Sequence, residues 1–167
     1  AVERRGELDN TYILFTSDHG EMLGDHGIFQ KSVPYEGAVR VPLLAAGPGI
    51  EAGRVRDALV ELIDVNPTIC DLAGLPAQEN IDARSFAAVL RGEADAHRED
   101  AMSVIRQWRL IRTERYKYIE TYNDTAELYD LAEDPGERRN IAAEAPDAVR
   151  EMKQRLARRT IEGAWRR

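Results

Sequence analysis

The sequence predicts an α/β fold in two successive blocks: strand, long loop, strand and helix first, then a small antiparallel sheet packed with a C-terminal helix. Three observations carry this expectation. Apolar, β-favouring runs at residues 12–16 and 41–46 flank a glycine-bearing loop. Residues 102–131 hold four short β-forming runs with little chain between them, the pattern of antiparallel hairpins. Residues 146–161 bring Val149, Met152 and Leu156 onto one helical face.

Taken in order, residues 1–9 read as the last turns of a helix closed by Asn10. Tyr12-Ile13-Leu14-Phe15-Thr16 reads as a buried strand ending at Ser17-Asp18-His19-Gly20. Residues 20–34 lack periodicity and read as a long functional loop, with a helical turn at Glu21-Met22-Leu23. Val41–Ala46 is a second buried strand, stopped by Gly47-Pro48-Gly49, and a further strand is expected over residues 55–60. Asp64 is placed as the N-cap of a helix that carries Val65, Ile69 and Leu72, stops at Gly74 and holds Cys70 on its apolar, core-facing side. A short amphipathic helix near 84–91 is capped by Asp82 and ended by Gly92. The charged stretch that follows marks a boundary, giving a first domain at 1–100 and a second at 101–167. In the second, residues 102–106, 108–113 and 115–120 are strands, Glu127–Leu131 a fourth, and Asp134-Pro135-Gly136 a turn before the last helix.

Composition excludes several function classes. The 167 residues carry 30 acidic against 23 basic side chains, a net charge of −7, which argues against a nucleic-acid partner. One cysteine provides neither a disulfide framework nor a multi-thiolate metal site. No apolar run approaches the ~20 residues a membrane-spanning helix needs. The chain opens without Met in a charged, helical pattern, so it is expected to begin inside a longer protein.

The chemistry concentrates in Thr16–Lys31, where two of the three histidines and three carboxylates follow a strand directly. Ligands of α/β sheets sit at the carboxyl ends of strands. Asp18 offers a hard oxygen and His19 a borderline nitrogen, together half of a divalent-cation site, provided the chain turns at Gly20. The plainer reading of the same residues is a solvated turn. Likewise Glu21 and Asp25 read as loop-solvating charges, Lys31 as a surface lysine, and Glu36 with Arg40 as an (i, i+4) pair.

The whole string decides between these readings. Thr16-Ser17-Asp18-His19-Gly20-Glu21-Met22-Leu23-Gly24-Asp25-His26-Gly27, then Lys31, then Tyr35-Glu36-Gly37-Ala38-Val39-Arg40-Val41-Pro42, resembles the sulfatase family of the alkaline-phosphatase superfamily. The likeness runs on through Asp64–Leu75, Tyr116-Lys117-Tyr118-Ile119, Glu127–Leu131, Asp134-Pro135, Glu137 and Asn140, nearly the whole chain. It implies a sulfatase-like sheet, of which residues 1–100 form the C-terminal part of the catalytic α/β domain, including a metal-binding loop, and residues 101–167 form the antiparallel subdomain.

The resemblance further implies that Asp18 and His19 bind a divalent cation, commonly Ca2+, that Lys31 contacts the sulfate ester as a catalytic and substrate-binding group, and that His26 assists as a proton donor or orders the loop. Asn is common in relatives where His19 stands, so Mn2+ or another metal stays open. The family's nucleophile is a formylglycine made from Cys or Ser within Cys/Ser-x-Pro/Ala-x-Arg; Cys70-Asp71-Leu72 does not match that motif. The nucleophile is therefore expected in an N-terminal part of the same enzyme, which becomes the chain's main partner, and the 167 residues alone are expected to be inactive. Separated from it, the Tyr12–Thr16 strand is expected to favour homo-oligomers. Phosphonate or phosphate ester hydrolysis, and a non-catalytic binding module, are the competing functions.

Overall fold

A computed structural model describes residues 1–76 and 78–165; the last two residues of the 101–167 subdomain lie outside the described residues. The elements in chain order are β1 (Ile13–Thr16), α1 (Glu36–Val39), β2 (Leu43–Ala46), α2 (Val65–Leu72), α3 (Ala87–Leu90), β3 (Ala101–Val104), β4 (Trp108–Arg112), β5 (Tyr116–Thr121), β6 (Glu127–Asp130) and α4 (Pro146–Trp165). They fall into two compact units, Ala1–Asp18 with Pro42–Arg98, and His19–Val41 with Glu99–Arg167. The loop and α1, which the sequence groups with residues 1–100, thus cluster with the C-terminal sheet.

In the first unit, β1 and β2 pair antiparallel, with Ile13 opposite Ala46 and Thr16 opposite Leu43. Both expected buried strands are half open: Ile13, Phe15 and Leu44 alternate outward, with Phe15 61% exposed. A two-stranded pair has only one covered face, so the apolar alternation that sequence reads as burial leaves one side in solvent. The expected N-terminal helix is two 3-10 turns, Glu3–Arg5 and Leu8–Asn10, because Gly6 turns left-handed between them at φ 68°. The strand expected over 55–60 shrinks to one bridge, Leu59 with Arg98. Val55 is exposed, and Arg54 and Arg56 reach back to Glu51 instead of joining a ladder.

Asp64 does not cap α2 with its side chain. It belongs to a capping box with Glu61 on the 3-10 turn Leu62–Asp64, and its carboxylate is fully buried. Arg98 Nε donates to Asp64 Oδ2 at 2.7 Å, His97 Nε2 lies 3.1 Å from the same oxygen, and Arg84 N donates to Oδ1 at 2.8 Å. Arg98 also donates to the Asp82 carbonyl at 2.9 Å, so one ion cluster ties three chain segments. The inward side of α2 is consequently Pro67 and Thr68, whose hydroxyl accepts from Phe86 N at 2.9 Å. Ile69 stays half exposed, and Cys70 is only partly buried, not a core residue. The helix expected at 84–91 is the shorter α3.

The second unit contains the hairpin series expected from sequence, a sheet in the order β3-β4-β5-β6 with every pair antiparallel. Strand parity sends Ile111, Tyr118 and Leu128 to one face, where Met152 and Leu156 of α4 complete a core, as the helical periodicity predicts. The opposite parity sends Trp108, Leu110, Ile119 and Tyr129 to the other face, where Tyr35 and Val39 pack. The sheet is therefore covered twice, by α4 and by the returning loop with α1.

Candidate active site

The site is built on the segment His19–Val41. The backbone turns at once after His19: Gly20 N donates to the Ala38 carbonyl at 2.8 Å, and a Cβ on Gly20 would meet the Gly37 carbonyl oxygen at 2.1 Å. Only glycine permits that approach. No helical turn forms at Glu21–Leu23. Leu23 is left-handed at φ 50°, Met22 is buried, and a 3-10 turn forms at Asp25–Gly27 instead.

Within this segment, Lys31 Nζ donates to His19 Nε2 at 2.8 Å. An ammonium only donates, so Nε2 is the accepting nitrogen, and Nδ1 donates to the Gly20 carbonyl at 2.8 Å. These two hydrogen bonds place the ring's lone pair on Nε2, where it accepts from Lys31; a cation ligated through Nε2 would take the place of that hydrogen bond. Asp18, at the end of the first unit's opening segment, is exposed, with Ser17 Oγ 3.5 Å from its Oδ1. Among the described residues, no group of three or more His, Cys, Asp or Glu side chains gathers as a metal cluster. The donor chemistry of Asp18 and His19 fits a hard-to-borderline divalent ion as a partial ligand set.

The other contacts of the loop hold it in place. Trp108 Nε1 donates to the Ser32 carbonyl at 3.2 Å. His26, itself left-handed at φ 51°, stacks on Tyr35 at 4.3 Å and donates from Nε2 to the Gly136 carbonyl at 3.0 Å. Asp25 pairs with Arg138. Glu36 does not pair with Arg40; its Oε1 lies 3.1 Å from Lys117 Nζ, and its backbone N donates to Glu137 Oε2 at 2.6 Å. Lys117, fully buried on the loop-facing side of β5, also lies 2.7 Å from Glu137 Oε1. Tyr35 and Tyr129 both donate to Glu127 Oε2. Burial, and then the Glu127 carboxylate, push both phenols up, so they stay protonated donors.

Sequence reasoning named His19 and Lys31 as candidates, which the structure brings into contact, and missed the residues that hold the loop. Lys117 offered a signal: a lone charge between Tyr116 and Tyr118-Ile119, at the parity of the buried Ile119. Glu137 was named only as part of the family resemblance, with no role attached, and Arg138 offered no signal, being an ordinary turn charge until its partner is known.

Residues 24–162 match the family described as N-sulphoglucosamine sulphohydrolase, C-terminal. Arylsulfatase K of Mus musculus is 37% identical over 175 residues, covering 93% of this chain and 31% of that protein. The solved structure of BT4656, in complex with its substrate D-glucosamine-2-N,6-O-disulfate, is 34% identical with a TM-score of 0.90, covering 98% of this chain and 36% of that one. Phosphonate monoester hydrolase of Agrobacterium radiobacter is 30% identical with a TM-score of 0.83, covering 96% of this chain and 37% of that one.

The fold is that of a sulfatase-like C-terminal module of the alkaline-phosphatase superfamily. The chain belongs to the N-sulphoglucosamine sulphohydrolase C-terminal family, and it spans about a third of the length of the curated relatives it matches. No helix among the described residues is long and apolar enough to cross a membrane.

Proposed function

We propose that the intact protein is a sulfuric ester hydrolase in which Asp18 and His19 are ligands of a divalent cation, Ca2+ or Mn2+, and Lys31 contacts the ester's anionic group. The observation that carries this reading is the 2.8 Å contact between Lys31 Nζ and His19 Nε2, which puts an imidazole and an ammonium in one spot; a cation taking the Nε2 lone pair would release the ammonium to the ester. When bound, the cation draws charge from the ester oxygens. Lys31 adds a fixed donor where negative charge develops on the leaving oxygen. His26, with Nε2 held by Gly136, serves this reading as a residue that orders the loop. The formylglycine nucleophile belongs to the portion of the parent enzyme outside these 167 residues, so this chain alone is inactive, because half of a constellation contributes little rate.

The test is turnover of 4-nitrophenyl sulfate by the intact protein. Asp18→Ala is expected to abolish metal-dependent turnover, and Lys31→Ala to lower kcat by ~100-fold, the loss typical of one electrostatic stabiliser. Full activity in either variant overturns the assignment of that residue. Phosphonate or phosphate ester hydrolysis is the second reading, favoured by the 30% identity to a phosphonate monoester hydrolase. A higher kcat/KM on an aryl phosphonate or phosphate than on the sulfate would establish it.

A further inference from the structure

Three consecutive residues of one turn hold both stems of the loop that carries Lys31. Gly136 accepts from His26 Nε2 at 3.0 Å, Glu137 Oε2 accepts from Glu36 N at 2.6 Å, and Arg138 pairs with Asp25. Lys31 lies between these attachment points, five residues after His26 and five before Glu36. The central residue, Glu137, is 2% exposed and left-handed at φ 53°, a conformation that non-glycine residues adopt only when their surroundings hold them there. Its second oxygen meets Lys117, whose ammonium is buried between Glu137 and Glu36. A lysine with no solvent contact costs desolvation that two carboxylates offset, and both of its partners bear on the loop stem.

We propose that Glu137, held by Lys117, is a positioning residue: the turn Asp134–Arg138 fixes Lys31 at the reacting ester without touching substrate. The proposal rests on the role of Lys31 given above. Misplacing a catalytic group by about an ångström costs up to ~100-fold in rate. Loosening one stem should therefore lower kcat while leaving the rest of substrate binding intact.

The experiment uses the intact protein with 4-nitrophenyl sulfate and a cycle of Glu137→Gln, Lys31→Ala and the double variant. Glu137→Gln keeps an acceptor for Glu36 N and removes the charge facing Lys117. The expected result is a kcat loss of ~10-fold with KM within about twofold, shrinking to under about twofold when Lys31 is already Ala. Equal losses in both backgrounds mean a general structural role and overturn the proposal. Full activity in Lys31→Ala would instead defeat the underlying functional reading.

Amide hydrogen exchange separates the two failures, because it needs no turnover. In Glu137→Gln, amides of residues 25–36 should exchange at least ~10-fold faster while those of β4 and β5 keep their protection. Unchanged exchange in 25–36 overturns the positioning role whatever the activity. Should Glu137→Gln fail to fold, Arg138→Ala, which removes an exposed partner of Asp25, carries the same cycle and the same exchange measurement.

Discussion

Lys117 shows how one side chain links packing to the site. Its backbone stands in β5, its ammonium sits 3.1 Å from Glu36 and 2.7 Å from Glu137, and no water reaches it. Lys117→Met keeps the volume and deletes the charge, leaving two carboxylates facing each other in a largely buried place. Breaking one partner of such a cluster costs about 3–5 kcal/mol, so urea denaturation should show a correspondingly lower midpoint at unchanged slope. A variant as stable as the parent would mean that water already screens the cluster. His19 and Lys31 could be named as candidates from strand-end placement and residue type, and the structure brings the two side chains together. Lys117 could not be so named, since a charged residue in a short strand reads as solvent-facing until the second layer over the sheet is known.

The same distinction separates the elements that sequence located from those it misplaced. β3 to β6 and α4 follow from local periodicity, and a local pattern is sufficient because each strand pairs with its neighbour in the chain. β1 and β2 also form where their residues predict, but burial did not follow from hydrophobicity, as Phe15 and Leu44 show. The helix after Asp64 starts where sequence placed it, but the role of the Asp64 carboxylate was missed because its contacts come from Arg84, His97 and Arg98, remote in sequence.

The Asp64 cluster has a testable pH dependence. Burial raises the Asp64 carboxyl, yet the Arg98 hydrogen bond and the backbone donors of Glu61 and Arg84 outweigh it, leaving the group below its ordinary 3.8. A carboxyl depressed on folding adds stability that is complete above the unfolded value and fades as pH falls through the folded one. Asp64→Asn should therefore lose about 3 kcal/mol at pH 7, with a gap to the parent that narrows below about pH 4. Denaturation midpoints across that range measure it; a constant gap would show that Asp64 is not the linked group.

For the molecule as a whole, the open side of the β1–β2 pair governs how these 167 residues behave alone. Ile13, Phe15 and Leu44 form an apolar strip on one sheet face, and apolar sheet surface of this kind drives association. Expressed by itself, the chain should sediment as a concentration-dependent oligomer, and Phe15→Lys should shift it toward monomer. A parent that is monomeric at all concentrations would refute this. Function at this level was legible only as family resemblance, because a nucleophile motif is absent from the sequence and no local pattern can substitute for it.

The ladder that pairs Thr16 with Leu43 carries a different implication. The polypeptide departs from β1 and rejoins β2 at partnered positions, so everything between them is an excursion whose length the ladder does not sense. Doubling such an excursion costs only ~0.6 kcal/mol in closure entropy. The β1–β2 register thus tolerates changes of length near the exposed Phe29, whereas the part of the stretch that packs on the C-terminal sheet, Tyr35 and Val39 among it, has to stay.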